Sequence, residues 1–289
     1  MSTNPRYAVT GASGQLGRLV IADLVRRVGA EAIVAIVRDP AKSAGLFPQG
    51  VTIREGDYER PETLNAAFAG VERLLLISSN AVGRRAGQHR NVVEAAKRAG
   101  VQRIAYTSLL HADRSSLGLA EEHRDTEAAL AASGLAVTLL RNGWYTENYA
   151  ASIPPALEHG ALMGSADGGR ISSAARADYA EAAAAALVDD TEPRQVHELA
   201  GDEAYTLTEF AAEISRQSGQ TVAYADMPEA EYREALKSAG LPDAIAAMLA
   251  DSDAGAARGD LFDDGHELSR LIGRPTTPFA ATIEAALKG

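Results

Sequence analysis

Short apolar runs alternate with amphipathic stretches along the first half of the chain. Six runs rich in leucine or β-branched residues are continuously apolar, which is typical of strands buried on both faces. The segments between them are long enough for right-handed helical crossovers. This pattern predicts an α/β fold with a doubly wound parallel sheet. The predicted strands span Tyr7–Thr10, Ile33–Val37, Val51–Arg54, Leu74–Ile77, Arg103–Thr107 and Val137–Leu140.

Helical spacing between these strands, often followed by a glycine, predicts the intervening helices. After Leu140 the alternation ends, and Pro154–Pro155 and Gly168–Gly169 predict loops where the chain passes between two lobes. The predicted helices of the first half span Leu16–Val28, Pro61–Phe68, Gln88–Ala99 and Glu122–Ala132.

The second half is expected to form a smaller lobe. We expect residues 1–145 to form the first domain, rejoined at about residues 170–200 by a helix at Tyr179–Val188 and a strand at Val196–Leu199. Residues 146–169 and 201–289 are then a smaller, mostly helical substrate lobe. A capping-box pattern of Thr206 and Glu209 predicts a helix to about Gln217. Two further helices are predicted at Glu229–Ser238 and Ala244–Leu249.

Composition narrows the range of partners. The 289 residues include 39 acidic and 28 basic side chains, a net charge of −11 that would repel the backbone of a nucleic acid. The absence of cysteine excludes disulfides and thiolate metal sites. Residues Met1–Arg6 lead into the first strand without the apolar core of a signal peptide, and no apolar run approaches membrane-spanning length. We therefore expect a cytoplasmic protein that binds neither nucleic acid nor membranes.

A glycine-rich motif follows the first predicted strand and begins the first helix. In this position its glycines let a pyrophosphate approach the backbone and the helix N-terminus, while Gly17 allows the helix to pack closely on the sheet. Glycines also serve ordinary tight turns, but the strand-turn-helix context favours dinucleotide binding. The motif reads Gly11, Ala12, Ser13, Gly14, Gln15, Leu16 and Gly17.

The end of the second strand carries a cation. Proteins selective for NAD usually place an acidic residue there to bind the ribose hydroxyls, but this chain has Arg38, with Lys42 nearby. A guanidinium can bind a 2′-phosphate bidentately, and Lys42 can assist. A solvated surface arginine is the alternative. The position favours the phosphate interpretation and hence NADPH.

Polar residues follow the third and fourth strands. Asp57 can hydrogen-bond the adenine, although turn formation explains it equally well. Ser78, Ser79 and Asn80 lie at the carboxyl edge of the sheet, where they can line a cofactor groove or form an ordinary hydrogen-bonded loop.

The segment Arg141–Asn148 concentrates polar and aromatic side chains after the sixth strand. A nicotinamide and an aromatic substrate could stack there, although the lone Trp144 also suits packing at a hinge. The Tyr-x-x-x-Lys pair of short-chain dehydrogenases is missing. His123 and Glu127 occupy the equivalent region, and we interpret them as a surface pair rather than an acid and base. No histidine-carboxylate spacing suggests a metal site.

Five longer segments resemble the atypical, NmrA-like short-chain reductases, and among them the bacterial quinone-reducing branch. The resemblance covers nearly the whole chain and implies a Rossmann fold, NADPH as hydride donor, no flavin, and a quinone bound between the lobes near the nicotinamide. Carried over as cofactor contacts are Gly11 to Leu16, Arg38, Asn80 with its neighbours, and Gly143 to Asn148. The segments are Val9–Gly17, Ile33–Arg38, Ala105–Asp113, Leu140–Tyr145 and Gly259–Asp264.

Quinone reduction agrees with the missing tyrosine-lysine pair. A quinone accepts hydride readily because the product is aromatic, so the protein mainly positions the ring and stabilises an oxyanion. Candidate donors are Tyr145, Asn148 and His111. Two alternatives stay open: a dinucleotide-sensing binding protein, and a reductase of another aromatic acceptor such as a triphenylmethane dye. The segment Leu109–Asp113 favours the quinone reductases over the dye reductases.

Overall fold

The six predicted strands are all present, with bounds that shift by at most two residues. The computed structural model describes residues 6–189 and 194–288. The prediction that no signal peptide is present is based on Met1–Arg6, and residues 1–5 of that segment lie outside the described residues. The strands are β1 (Tyr7–Val9), β2 (Ile33–Val37), β3 (Thr52–Glu55), β4 (Arg73–Leu76), β5 (Arg103–Leu109) and β6 (Ala136–Asn142).

The main sheet has seven strands. Its order is β3-β2-β1-β4-β5-β6-β8, where β8 is Arg194–Leu199, and the predicted return of Val196–Leu199 to the sheet is confirmed. Strand β1 pairs in parallel with both β2 and β4, and the pairs β2–β3 and β4–β5 are also parallel. The doubly wound parallel sheet is therefore confirmed. Its switch point lies between β1 and β4, the place where ligands of such folds bind.

Helices connect the strands as the spacing predicts. They are α1 (Gln15–Val28), α2 (Pro61–Ala67), α3 (Arg85–Ala99), α4 (Ala120–Ala131) and α7 (Arg176–Val188). Helix α2 begins where predicted, and the other four begin one to three residues earlier. Helices α1 and α3 end at Gly29 and Gly100, both with positive φ, which glycine adopts without steric cost.

The apolar runs of β1, β2 and β4 are buried, whereas β3, at the edge of the sheet, is only partly buried. All five residues of β2 and all four of β4 are buried, and leucine, valine and alanine side chains from α2 and α3 pack against them. This packing explains why the strand sequences show no polar alternation.

Contacts divide the chain into two compact units. Unit 1 comprises Met1–Ala112, Glu121–Arg141 and Tyr179–His197, and contains most of the main sheet. Unit 2 comprises Asp113–Ala120, Asn142–Asp178 and Glu198–Gly289.

Unit 2 is mainly helical, with an additional two-stranded parallel sheet that the sequence pattern did not predict. The two strands are β7 (Ala161–Gly164) and β9 (Ala223–Asp226). Its helices are α5 (Thr146–Ala150), α6 (Ile153–His159), α8 (Leu207–Ser218), α9 (Glu229–Ser238), α10 (Asp243–Ala257), α11 (Glu267–Ile272) and α12 (Phe279–Lys288).

One loop prediction in unit 2 is wrong and one cap is confirmed. Pro154 and Pro155 lie in the first turn of α6, where the missing N–H removes no intrahelical bond. The capping box forms as predicted: Glu209 N–H donates to Thr206 Oγ1 at 3.1 Å, and Thr206 N–H donates to the Glu209 carboxylate at 2.7 Å. Within the described ranges, no helix is long and apolar enough to cross a membrane.

Candidate functional site

The glycine-rich motif forms a tight turn between β1 and α1 in unit 1. Gly11 has a φ of +59°, and its carbonyl accepts the Gly14 N–H at 3.0 Å. A Cβ at Gly17 would lie 2.5 Å from the Gly11 carbonyl oxygen and 2.7 Å from the Cα of Ala12, backbone atoms that cannot move aside as a flexible side chain could. Glycine at position 17 therefore allows α1 to approach the turn closely.

The first turn of α1 is suited to an anion. It contains no acidic residue, and its N-cap residue is Gly14, which adds no side chain over the helix end. Ser13 and Gln15 are exposed, whereas Ala12 and Leu16 are buried and anchor the turn. Because the first N–H groups of a helix lack intrahelical partners and carry partial positive charge, this turn fits the pyrophosphate of a dinucleotide.

Arg38 lies exposed immediately after β2. Among residues 6–189 and 194–288, no side chain pairs with its guanidinium. Lys42 instead lies near Asp39, with its Nζ 3.4 Å from Oδ2, and the Lys42 backbone N–H donates to Oδ1 at 3.1 Å. These contacts with Lys42 lower the pKa of Asp39. The arginine is thus available for a phosphate, while the lysine is shared with a carboxylate.

Asp57 forms the turn that follows β3. Its carboxylate accepts the Glu59 N–H at 2.9 Å, and its carbonyl accepts the Arg60 N–H at 3.0 Å. These hydrogen bonds support the alternative that Asp57 serves to form the turn. An adenine contact would have to share a carboxylate that already has partners.

The residues after β4 lie beside the glycine turn in strand order. Ser78 and Ser79 are half-buried, and Asn80 is exposed. Ser79 Oγ accepts the Ala81 N–H at 3.1 Å. Since this bond uses an oxygen lone pair, the Ser79 hydroxyl can still donate to a ligand.

His123 and Glu127 are not a surface pair, so that prediction is wrong. His123 is 5% exposed; its Nδ1 lies 2.7 Å from Tyr106 Oη and its Nε2 lies 3.3 Å from Arg85 Nη1. The Glu127 carboxylate forms an ion pair with Arg141 at 2.8 Å. Each side chain is held by partners on neighbouring strands and helices, which helical spacing alone cannot reveal.

The protonation state of His123 follows from its partners. A guanidinium only donates, so Nε2 accepts from Arg85 and Nδ1–H donates to Tyr106 Oη. Burial, reinforced by the charge of Arg85, lowers the pKa of His123 well below its usual value. The imidazole is therefore neutral and poorly suited to supply a proton.

His111 lies in the turn after β5, also in unit 1. It is buried and has a φ of +51°, a conformation that is strained for a residue with a Cβ. The turn is closed by the Ala112 N–H, which donates to the Leu109 carbonyl at 3.0 Å. Strained positions of this kind cluster at functional sites, so His111 stays a candidate.

Tyr145 and Asn148 lie together at the start of α5 in unit 2. The Asn148 N–H donates to the Tyr145 carbonyl at 3.0 Å. The Arg176 guanidinium lies 4.8 Å from the centre of the Tyr145 ring, and the Glu147 carboxylate accepts the Arg176 backbone N–H at 2.9 Å. A cation over an aromatic face is attracted to it, so this cluster holds the phenol ring in place.

Asn142 is a polar site residue that the sequence analysis did not single out. It ends β6, is 5% exposed, and its side chain hydrogen-bonds Tyr145. Its Oδ1 has no partner within the described part of the chain. A buried polar atom without a partner is costly, and such atoms often mark places that a ligand completes. The signal available in the sequence is an uncharged amide at the carboxyl end of a buried strand.

The environment of Tyr145 keeps its phenol protonated. Burial raises its pKa, and the Asn142 hydrogen bond and the Arg176 charge act in the opposite direction. Trp144, by contrast, is buried, and its carbonyl accepts the Ala174 N–H at 3.2 Å. This placement agrees with the packing alternative for Trp144.

Metal binding gains no support from the described residues. Across residues 6–189 and 194–288, histidine and carboxylate side chains form no group of three or more that could hold an ion.

Comparisons with known proteins agree with the fold and with the sequence motifs. Residues 11–190 match the family model described as NAD(P)H-binding. Quinone oxidoreductase 2 of Escherichia coli (strain K12) is 59% identical over 276 residues, which cover 96% of each chain. The resemblance to the NmrA-like quinone reductases is thereby confirmed.

Two solved structures are similar over almost the full length. One is an NADPH-dependent quinone oxidoreductase from Escherichia coli complexed with NADPH, with a TM-score of 0.94 and 57% identity, covering 97% of this chain and 99% of that one. The other is the Citrobacter sp. triphenylmethane reductase complexed with NADP(H), with a TM-score of 0.93 and 37% identity, covering 97% and 99%.

Proposed function

The chain belongs to the NAD(P)H-binding family, and from this premise we propose that it is an NADPH-dependent quinone oxidoreductase that works without flavin. The observation that carries the choice of substrate is the near full-length similarity to quinone oxidoreductase 2 of Escherichia coli. In unit 2, Tyr145 and Asn148 are proposed to donate hydrogen bonds to a quinone oxygen. Unit 2 is accordingly the proposed substrate lobe.

Most of the proposed cofactor contacts belong to unit 1, and Gly143 to Asn148 stay proposed contacts in unit 2. The turn from Gly11 to Leu16 leads into the first N–H groups of α1, the proposed pyrophosphate contacts, and a side chain at position 17 would disrupt it. Arg38 is the proposed 2′-phosphate ligand because its guanidinium is exposed and uncommitted among the described residues. Ser78, Ser79 and Asn80 are proposed to line the groove at the switch point. When bound, NADPH supplies a hydride.

Reduction of a quinone to a hydroquinone consumes one hydride and one proton. Negative charge develops on a quinone oxygen, and a protonated phenol can stabilise it and then donate. Tyr145 is the proposed donor because burial keeps its hydroxyl protonated while Asn142 holds its oxygen. Asn148 is a proposed second hydrogen-bond donor. Solvent can restore the proton on Tyr145.

The region of α4 that would carry a tyrosine-lysine pair supplies no general acid. His123 is neutral and bound at both ring nitrogens, and Glu127 is paired with Arg141. A ketone would need such an acid more than a quinone does, because hydroquinone formation is driven by aromaticity. This contrast supports a quinone over a simple ketone.

Reduction of a triphenylmethane dye is a second candidate, favoured by the similarity to the Citrobacter reductase. Hydride addition to a cationic triphenylmethane dye neutralises a carbocation and consumes no proton. A donor such as Tyr145 would then have no oxyanion to stabilise. The two activities therefore make different demands on the same phenol.

Steady-state oxidation of NADPH tests the proposal. Purified protein without flavin should oxidise NADPH in the presence of a benzoquinone. Tyr145→Phe should lower quinone turnover by about tenfold to 100-fold, with dye reduction and NADPH affinity much less affected. If NADPH binds tightly but no quinone or dye accelerates its oxidation, the dinucleotide-sensing function replaces the enzymatic one.

A further inference from the structure

The backbone of the loop after β4 is bound by buried side chains from β5 and α3. Ser78 N–H donates to Thr107 Oγ1 at 2.8 Å, and Ser79 N–H donates to His89 Nε2 at 2.9 Å. Arg85 Nε donates to the Ser79 carbonyl at 2.7 Å. Thr107, His89 and Arg85 are all buried. Water could have bound the backbone N–H and carbonyl groups of a half-buried loop. Three interior side chains bind them instead, which fixes the loop conformation.

The hydrogen-bond order fixes the tautomer of His89. Thr126 Oγ1 donates to the Glu122 carbonyl at 2.8 Å, so it accepts from His89 Nδ1–H at 2.9 Å. The lone pair of His89 is then on Nε2, where it accepts the Ser79 N–H. Burial, with the nearby charge of Arg85, lowers the pKa of His89 to about 3. The imidazole therefore remains an acceptor for the loop near neutral pH.

Arg85 is held in turn by α4. Its Nη1 lies 3.3 Å from His123 Nε2, and its backbone N–H donates to Glu122 Oε1 at 3.0 Å. Placing a guanidinium in the interior is costly unless its donors are used. Here the donors of Arg85 are used to bind the loop that contains Ser79 and Asn80, which lies at the switch point of the sheet.

We propose that His89 and Thr107 are positioning residues for the dinucleotide, which hold the Ser78–Asn80 backbone in the conformation that receives it. This inference rests on the proposed cofactor site and does not depend on the quinone. It also gives the buried network a role without making His89 a catalytic residue, since its ring nitrogens are bound to Ser79 and Thr126.

Two substitutions of His89 separate the loop contact from general packing. In His89→Gln the amide oxygen can reach the place of Nε2 and accept the Ser79 N–H. In His89→Asn the shorter amide can donate to Thr126 but cannot reach Ser79. Both variants lose one internal hydrogen bond, so a merely structural role predicts similar changes for both. His159→Asn, at an exposed histidine on α6, controls for the loss of an imidazole.

The readouts are the Kd for NADPH, measured by calorimetric titration, and kcat at saturating NADPH. We expect His89→Asn to raise the Kd by about tenfold, and His89→Gln to stay within about twofold of the wild-type protein. In both variants kcat should change by less than about threefold, because the chemical step does not use His89. Equal Kd values for the two variants would overturn the inference.

A second pair keeps the test decisive if His89→Asn fails to fold. Thr107→Ser preserves the acceptor for the Ser78 N–H, whereas the isosteric Thr107→Val removes it. The valine variant alone should weaken NADPH binding, and equal binding by both would contradict the proposal. If the wild-type protein itself fails to bind NADPH, the proposed function fails too, an outcome distinct from equal binding by the variants.

Discussion

Burial shifts the pKa of two histidines in unit 1 and of an aspartate in unit 2 in opposite directions. In unit 1, His89 and His123 are bases whose pKa values are lowered by burial, so both are neutral near pH 7. In unit 2, Asp253 on α10 is 3% exposed, and burial raises its pKa to about 6. Its carboxylate accepts from Tyr149 Oη at 2.9 Å and from Ser165 N–H at 3.1 Å.

The same physical cause thus has different consequences. Burial disfavours the charged form of either group. It therefore moves the pKa of a histidine away from physiological pH and the pKa of an aspartate towards it. The polar network of unit 1 should keep a constant charge state around neutral pH, and Asp253 should not. Measurements of stability at different pH values, and of binding and turnover in variants, test this difference.

Replacement of the buried carboxylate should have the largest effect. The pKa of Asp253 is about 6 in the folded protein against an ordinary value of 3.8, so the unfolded chain releases this proton first as pH rises. The folded state therefore loses stability between about pH 4 and pH 6. Asp253→Asn cannot ionise, and its amide can accept from Ser165 and donate to Tyr149. The variant should be more stable at pH 7 by up to about 3 kcal/mol.

Urea denaturation at pH 4 and pH 7 measures this difference. The advantage of Asp253→Asn should shrink towards zero at pH 4. Asp264→Asn, at an exposed carboxylate, controls for the loss of one negative charge. A constant gap between wild-type and Asp253→Asn stability across this range would show that Asp253 does not titrate as its burial implies.

A smaller effect is expected at Arg38, an exposed arginine of unit 1. Arg85 is buried and bound internally, whereas Arg38 is exposed and available. Arg38→Ala should therefore leave the stability of the fold nearly unchanged. It should weaken the binding of NADPH by about 2 kcal/mol more than the binding of NADH, because only NADPH carries the 2′-phosphate. Kd values for both cofactors test this, and Lys42→Ala should have a weaker effect. Equal losses for NADPH and NADH would refute the phosphate assignment.

The smallest effect on turnover is expected at α4. His123→Ala and Glu127→Ala should each lower kcat by less than the roughly 100-fold loss expected for a general acid or base. The substitutions should instead lower stability, since each removes a hydrogen bond from buried partners. Thermal unfolding and kcat are measured together. A larger fall in kcat with intact folding and NADPH binding would return these residues to the catalytic machinery.

Several features were readable from the sequence because their causes are local. Buried parallel strands must be apolar on both faces, so all six strands of the first half were predicted nearly to their ends. The Thr206–Glu209 capping box likewise depends on residues three positions apart. The placement of Arg38 followed from its distance beyond the glycine turn.

Other features failed where the cause was distant or ambiguous. The sequence predicts a loop at Pro154 and Pro155, because proline is common both in loops and in the first turn of a helix. The short strands β7 and β9 pair across about 60 residues, and four-residue strands carry little periodic signal. The sequence does not single out Asn142, because neither its burial nor its unpartnered oxygen is visible in a sequence.

By itself, the sequence determined the doubly wound sheet, the glycine turn and the cation that follows β2, because each depends on local periodicity, on sterics or on a fixed spacing. The roles of the buried polar residues depend on tertiary contacts. His123 and Glu127 have the spacing of a surface pair, yet partners on neighbouring elements turn one into a neutral hydrogen-bonded base and the other into half of an ion pair. The tautomer of His89 and the raised pKa of Asp253 have the same origin. Burial and hydrogen-bond partners set the charge of an ionisable group, and both arise from contacts between distant parts of the chain.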